Sequence, residues 1–307
     1  MHGKNPKRMA NNPSRIHIFF MFQITFLGTS GGTPTVERGM PALALKYESD
    51  LLLFDCGEGT QRQLMRYKVG YGSVDAIFIS HPHLDHYLGL FGYLETLRLS
   101  SPSPRHLDLF LPRGVEIADR YPFATVAQLR KKDLLKKPDY EVSAIPVKHC
   151  RDSFCFIFRE SDRIKFHEEK AHSLGMSGTM FKEIQKKGKV KTANGEVLLS
   201  DVSWVKSGRK IVYSGDSAAG EEIIEAAQGA DLLIHEATFD KARKTEALER
   251  LHSTAEDAAG IAKRAGVKRL ILTHISPRYP EPSALLEEAR AVFPDTEIAF
   301  DGMKVDL

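Results

Sequence analysis

Cysteine is scarce in this chain. Three cysteines (Cys56, Cys150 and Cys155) among 307 residues show no CxxC spacing. That excludes a disulfide framework and fits a reducing, cytoplasmic setting. An excess of one charge sign is lacking as well, because 43 basic residues face 40 acidic ones and leave a net charge of +3. Overall charge therefore gives no argument for nucleic-acid binding, and only a local basic surface could carry it. No apolar run is long enough to span a bilayer, no repeat of about 20–50 residues occurs, and no Pro/Ser-rich linker divides the chain. What is present is 42% apolar and 27% charged residues, the balance of a soluble globular protein with a sizeable core.

The N-terminus needs separate treatment. Lys4, Lys7, Arg8 and Arg15 precede an apolar run from Ile16 to Leu27 and the small residues Gly28-Thr29-Ser30, which imitates a secretory signal. His17, Gln23 and Thr25 interrupt that run, and from Phe22 it reads as the first strand and loop of a domain. Residues 1–21 are expected to be a dispensable extension, followed by a catalytic domain over 22–307.

Short apolar runs bounded by turn residues predict strands at Gln23–Leu27, Ala42–Tyr47, Leu51–Phe54, Ala76–Ser80, Leu107–Leu111, Val142–Val147 and Phe154–Phe158. Later runs are Lys210–Ser214, Leu232–His235, Leu270–Thr273 and Ile298–Phe300. Helical periodicity falls at Gly59–Tyr67, His86–Leu99, Gly220–Gln228, Ala255–Ala265 and Pro282–Val292. Consecutive strands early and strand–helix alternation late suggest packed sheets covered by helices, with polar residues gathered at strand ends. From about Ser161 to Ser207 the pattern breaks into a charged stretch with little strand alternation, and its basic residues concentrate in Lys182–Lys191. By itself such a run reads as a solvated face.

The densest chemistry is Ser80-His81-Pro82-His83-Leu84-Asp85-His86, at the end of an apolar strand. Imidazole nitrogens and carboxylates suit zinc, and four ligand-type side chains so close together exceed what one tetrahedral ion needs if more ligands come from elsewhere. Two metal ions are therefore expected. His149, Asp216 and His274 each follow a later apolar strand, the placement a site at one edge of a sheet sandwich requires, and Asp216 has two oxygens with which to bridge two ions. In His235-Glu236-Ala237-Thr238-Phe239 and Leu251-His252-Ser253-Thr254-Ala255, a histidine oriented by a carboxylate could protonate a leaving oxygen. The second of these is also an ordinary helix start. Gly28-Thr29-Ser30-Gly31-Gly32-Thr33-Pro34 allows tight turning or close approach to a phosphate, but no Lys-Ser/Thr closes it as a P-loop.

Together these residues resemble the metallo-β-lactamase superfamily, through His81-x-His83-x-Asp85-His86 with His149, Asp216 and His274. Within it they are most similar to the ribonuclease Z family of tRNA 3′-processing endoribonucleases. That likeness rests on Phe26-Leu27-Gly28-Thr29-Ser30, Asp55-Cys56-Gly57-Glu58-Gly59-Thr60-Gln61, His235-Glu236-Ala237-Thr238-Phe239, His252-Ser253-Thr254-Ala255 and Leu272-Thr273-His274-Ile275-Ser276-Pro277-Arg278-Tyr279. The chain departs from the family at Gly178-Thr179, where Gly-Pro is usual, and at Glu37-Arg38-Gly39-Met40-Pro41, where Arg-Asn and a small residue are typical.

The resemblance implies an α/β fold, an αββα sandwich of the metallo-β-lactamase type with an inserted flexible arm. It implies two Zn2+ per subunit, with Mn2+ or Fe2+ as possible substitutes. His81, His83 and His149 would hold one ion, Asp85, His86 and His274 the other, and Asp216 would bridge. Asp85 would also orient or deprotonate the attacking water, and His252, held by Glu236, would protonate the departing 3′ oxygen. Residues 161–207 would be the tRNA-binding arm, with Lys182, Lys186, Lys187 and Lys189 on it, and Arg278 a phosphate contact. The implied substrate is precursor tRNA, the implied assembly a homodimer away from any membrane. Two other readings use the same residues: a general metal-dependent phosphodiesterase, and a non-catalytic tRNA-binding relative.

Overall fold

The computed structural model describes residues 22–129 and 132–307; the extension expected over 1–21 lies outside them. Seven strands form a first sheet: β1 (Phe22–Gly28), β2 (Ala42–Tyr47), β3 (Asp50–Phe54), β4 (Ala76–Phe78), β5 (Leu107–Leu111), β6 (Ala124–Gln128) and, from the far end of the chain, β18 (Lys304–Asp306). Their order is β18-β1-β2-β3-β4-β5-β6, antiparallel up to β3 and parallel from β3 to β6. The second sheet holds β7 (Lys132–Lys136), β8 (Tyr140–Pro146), β9 (Phe154–Glu160), β14 (Lys210–Tyr213), β15 (Leu232–Glu236), β16 (Leu270–Thr273) and β17 (Thr296–Ile298), in the order β17-β16-β15-β14-β9-β8-β7. Between β9 and β14 lie two small hairpin-like pairs, β10 (Arg163–Phe166) with β13 (Ser203–Lys206), and β11 (Lys189–Thr192) with β12 (Gly195–Leu198).

Both sheets are covered on two faces, which is why their central strands read as continuous apolar runs. Leu51, Leu52, Leu53 and Phe54 of β3 are all buried, as are all four residues of β16. Between the sheets lies an aromatic layer, with Phe78 stacked on Phe54 (ring centroids 5.2 Å) and on Phe110 (4.7 Å) and tilted against Phe156 of the opposite sheet (5.7 Å). Helices Thr60–Arg66 and Gly89–Ser100 cover the first sheet, burying Leu64, Leu90 and Leu94. Helices Glu221–Ala227, Ala255–Ala265 and Ser283–Val292 cover the second, burying Ile223, Ile261 and Leu285. These layers are the expected αββα sandwich. Among the described residues no helix is long and apolar enough to cross a membrane.

The strand directions create the site. β14, β15 and β16 run parallel, and β8 shares their direction because β9 opposes both β8 and β14. Their C-terminal ends therefore open at one edge. The first sheet is tied to that edge where Phe154 N donates to Ser80 O (2.9 Å) and the Tyr213 hydroxyl donates to Asp55 (2.7 Å).

Three sequence expectations need correction. The stretch 161–207, read as poor in strands, contains four, each only four residues long and rich in charge, so no apolar run marked them. It also has its own small core of Ala171, Met176, Ile184, Val190, Val197 and Val202. The single helix expected over His86–Leu99 is two, Leu84–Tyr87 and Gly89–Ser100. They meet where Gly89 presses on Gly57, so closely that a Cβ at 89 would lie 1.9 Å from the Gly57 carbonyl oxygen. The last strand expected at Ile298–Phe300 falls instead at Thr296–Ile298.

Candidate active site

Each candidate ligand leaves the end of a strand. His81 and His83 follow β4, and Asp85 and His86 sit on the one-turn helix after them. His149 follows β8, Asp216 follows β14, and His274 follows β16. The structure gathers all seven. Ligand-type atoms of His81, His83 and His149 lie within 4.8 Å of one another, as do those of Asp85, His86 and His274. Asp216 sits between the two sets, its Oδ2 3.2 Å from His274 Nε2, 3.3 Å from His86 Nε2, 3.7 Å from His81 Nε2 and 3.9 Å from His149 Nε2.

His81, His86, His149 and His274 are held from behind through Nδ1 so that Nε2 faces inward, while His83 turns its Nδ1 toward His149 Nε2 at 3.1 Å. His86 Nδ1 lies 2.8 Å from Asp55 Oδ2; a carboxylate only accepts, so Nδ1 carries the proton and Nε2 is left with its lone pair. Asp55 also accepts from Ser80 N (2.7 Å) and Ser80 Oγ (3.0 Å), which leaves Ser80 Oγ to accept from His81 Nδ1 at 3.0 Å. His149 Nδ1 lies 3.0 Å from the Leu251 carbonyl. His274 Nδ1 lies 2.8 Å from Thr238 Oγ1, which donates to Glu236 at 2.6 Å. The result is a set of buried atoms, His81 Nε2, His86 Nε2, His274 Nε2 and Asp216 Oδ1, with no hydrogen-bond partner. Unpaired buried polar atoms are costly, and a cluster of lone pairs aimed at one space is what a divalent ion needs. The donor set fits divalent-metal binding.

The same cluster carries strained backbone. Asp55 (φ 60°), Leu251 (φ 55°) and His274 (φ 56°) all occupy the left-handed region, at about 1–3 kcal/mol each. Electrostatics follow the geometry. Burial opposes charge on Asp216, but His274 and His86 outweigh it and hold the carboxyl well below its usual range. Burial likewise opposes charge on His86, but Asp216 and Asp55 outweigh it and raise His86 well above an ordinary histidine.

Glu236 and His252 also meet. His252 Nδ1 lies 2.7 Å from Glu236 Oε1 and 4.0 Å from Asp216 Oδ2. Burial works against the imidazolium, but the Glu236 charge and hydrogen bond prevail and raise its pKa to about 9. The helix start anticipated here is real as well: Thr254 caps Ala255–Ala265 in a capping box with Asp257. His235 is different. It lies on the helix-covered face with Leu233 and Ala237, its Nδ1 2.8 Å from the Glu236 carbonyl.

The glycine-rich loop turns out to brace the ligands. Gly31 N donates to Ile275 O (3.0 Å), and a Cβ on Gly31 would stand 2.6 Å from His274 Nδ1. Gly32 N lies 3.2 Å from Asp85 Oδ2. The variant segment Glu37–Pro41 is fastened beneath it, with Arg38 Nη1 donating to Thr29 Oγ1 and Ala299 O (both 2.7 Å) and Gly39 N to Asp301 Oδ2 (2.7 Å).

The candidate RNA contacts lie outside this cluster. Lys182, Lys186, Lys187 and Lys189 are exposed on the 161–207 insertion; Lys187 pairs with Glu183 (2.8 Å) and Lys189 with Glu196 (3.0 Å). Arg278 lies over the Phe239 ring at 4.9 Å and pairs with Glu246 at 3.1 Å. Sequence reasoning gave no role to Asp55, Tyr213 or Thr238. Asp55 carried the signal used for the other ligands, a polar residue directly after an apolar strand, whereas Tyr213 sat inside one.

The comparisons agree with this geometry. Residues 51–275 match the model of the β-lactamase superfamily domain, and the sandwich with its edge cluster defines the chain as a metallo-β-lactamase-fold protein. It is 41% identical to a ribonuclease Z of Archaeoglobus fulgidus over 94% of this chain and 98% of that one. It is 39% identical to a ribonuclease Z of Myxococcus xanthus with the same coverage. The crystal structure of the short form of human tRNase Z superposes with a TM-score of 0.64 at 29% identity, covering 92% of this chain and 98% of that one. The chain belongs to the ribonuclease Z family.

Proposed function

We propose that this protein removes 3′ trailers from precursor tRNA by endonucleolytic phosphodiester hydrolysis, leaving a 3′-hydroxyl on the tRNA and a 5′-phosphate on the trailer. The single observation that carries the chemistry is Asp216 Oδ2, seated between two histidine sets with the Glu236–His252 pair alongside. The ribonuclease Z relatives at 41% and 39% identity support the substrate.

His81, His83 and His149 would hold one divalent ion, Asp85, His86 and His274 a second, and Asp216 would bridge them. When bound, such a pair supplies Lewis acidity at the phosphate and lowers the pKa of water. Asp85, steadied by the Gly32 N–H, orients the attacking water. His252, charged through Glu236, gives its proton to the departing 3′ oxygen. Nitrogen and carboxylate donors favour zinc, with Mn2+ or Fe2+ as substitutes.

The basic insertion 161–207, with Lys182, Lys186, Lys187 and Lys189, would grip the tRNA away from the cut as a flexible arm, and Arg278 would meet a phosphate. A homodimer is supported by three exposed apolar residues where the helices Leu84–Tyr87 and Gly89–Ser100 meet, Leu84, Leu88 and Phe91. A cytoplasmic location is supported by the three free cysteines. Residues 1–21 would be dispensable.

Incubation with a 3′-extended precursor tRNA, followed by mapping of the cut, tests the reading. One cut at the trailer junction is expected, lost in Asp85→Ala and His252→Ala. Wild-type rates in both variants would overturn the role assignments. Faster turnover of bis(p-nitrophenyl) phosphate than of precursor tRNA would favour a general phosphodiesterase instead.

A further inference from the structure

Outside the metal cluster, a concentrated patch of charge lies on the segment that leads into His252. Helix Lys244–Glu249 runs to Arg250, Leu251 and His252, and His252 N donates to Ala247 O at 2.8 Å. Around Glu246 on this helix stand three arginines: Arg278 Nη1 at 3.1 Å, Arg250 Nε at 3.3 Å and Arg243 Nη1 at 3.9 Å. Glu246 is the only carboxylate within ion-pair distance of these three among the described residues. One carboxylate cannot accept from three guanidinium forks, so most of their N–H donors have no carboxylate partner. Arg243 and Arg250 are well exposed, at 50% and 65%. Arg278 lies over Phe239, whose ring is 6.0 Å from that of His252. Three cations against one anion therefore gather next to the group that would protonate the leaving oxygen.

We propose that Arg243, Arg250 and Arg278 form a phosphate-binding face for the RNA backbone on the leaving-group side of the scissile bond, with Glu246 as an internal counterion that the backbone displaces. The inference rests on the reading of RNA as substrate and deepens it by naming a surface separate from the 161–207 insertion. Three features favour a polyanion over a purely structural cluster. The positive charge exceeds what Glu246 can balance. The pairs are exposed, and exposed ion pairs contribute little to stability, so replacing Glu246 by phosphate is cheap. The planar forks suit phosphate oxygens two at a time. The side is set by His252: the oxygen it protonates belongs to the nucleotide upstream of the cut, so the arginines beside it meet upstream phosphates.

The test is fluorescence anisotropy of labelled 3′-extended precursor tRNA with the full-length protein across a sodium chloride series. Wild type is compared with Arg243→Gln/Arg250→Gln and with Glu246→Gln, and thermal unfolding checks that each variant folds. The double variant is expected to bind about tenfold more weakly or worse near 0.1 M salt, with the slope of log K against log salt shallower by about 1.4–1.8. Glu246→Gln, which frees the arginines, is expected to bind several-fold more tightly. A structural cluster gives the opposite sign, because losing Glu246 would loosen the segment that carries His252. An unchanged slope in the double variant, or weaker binding by Glu246→Gln, overturns the proposal while leaving the RNA reading intact. If wild type neither binds nor cuts the precursor, the RNA reading itself falls, and this surface with it.

Discussion

The Glu236 carboxylate reaches His252 Nδ1 at 2.7 Å and, through Thr238 Oγ1, also supports His274 Nδ1. One buried acid thus orients both the proposed proton donor and a candidate metal ligand, so its removal should disturb two steps in different ways.

The first consequence concerns pH. His252 must be protonated to act as an acid, so activity should fall as pH rises through its pKa, which Glu236 raises to about 9 against the cost of burial. Divalent ions held by the neighbouring ligands would repel the imidazolium and shift this limb toward acid. Glu236→Gln removes the charge that raises the pKa, and the alkaline limb of kcat/KM should move toward acid. A limb that stays in place in this variant would show that another group titrates. His252→Ala should lower kcat by about 10²–10⁴-fold, the usual worth of a positioned proton donor.

A second prediction concerns Asp55, which is not among the clustered ligands yet fixes His86 directly and His81 through Ser80. Asp55→Asn should weaken metal binding about 10–100-fold, as loss of an outer carboxylate usually does. Equilibrium dialysis against zinc, with metal content measured on the protein, would check this. Wild-type affinity would mean the ligands hold their orientation unaided.

Gly31 gives a steric version of the same experiment. Gly31→Ala would place a methyl 2.6 Å from His274 Nδ1, displacing one ligand of the second set. Zinc titration should show one site weakened while the other is retained; equal loss at both would indicate wider rearrangement.

For the insertion, replacement of residues 163–206 by a short glycine linker should cost far more on precursor tRNA than on bis(p-nitrophenyl) phosphate. The insertion has its own core, and none of its residues belongs to the clustered ligands. Equal losses on both substrates would argue against a separate RNA contact.

In the core, Phe78→Ala should destabilise the protein by about 3–5 kcal/mol, because Phe78 stacks on Phe54 and Phe110 and abuts Phe156 across the sheets. Chemical denaturation would measure it, and a loss below about 1 kcal/mol would mean the aromatic layer repacks.

Much of the architecture was legible because local patterning dictates it. Buried parallel strands must be apolar throughout, so Leu51–Phe54, Leu232–His235 and Leu270–Thr273 announced themselves, as did the four ligand-type residues from His81 to His86. The short charged strands of the insertion did not, since pairing and a small local core stabilise them rather than an apolar run. Edge strand Ala124–Gln128, largely exposed, was invisible for the same reason.

The sequence by itself determined the ligand types, their placement after strands and the family they resemble, because these are properties of short contiguous segments. Only the tertiary structure decided which atoms converge. The packing of the strands and their following loops brings Asp216 between histidines from both sheets, Asp55 behind His86, Gly31 against His274, and Arg278 against Glu246. Such contacts depend on how distant segments pack, and no local pattern encodes their distances.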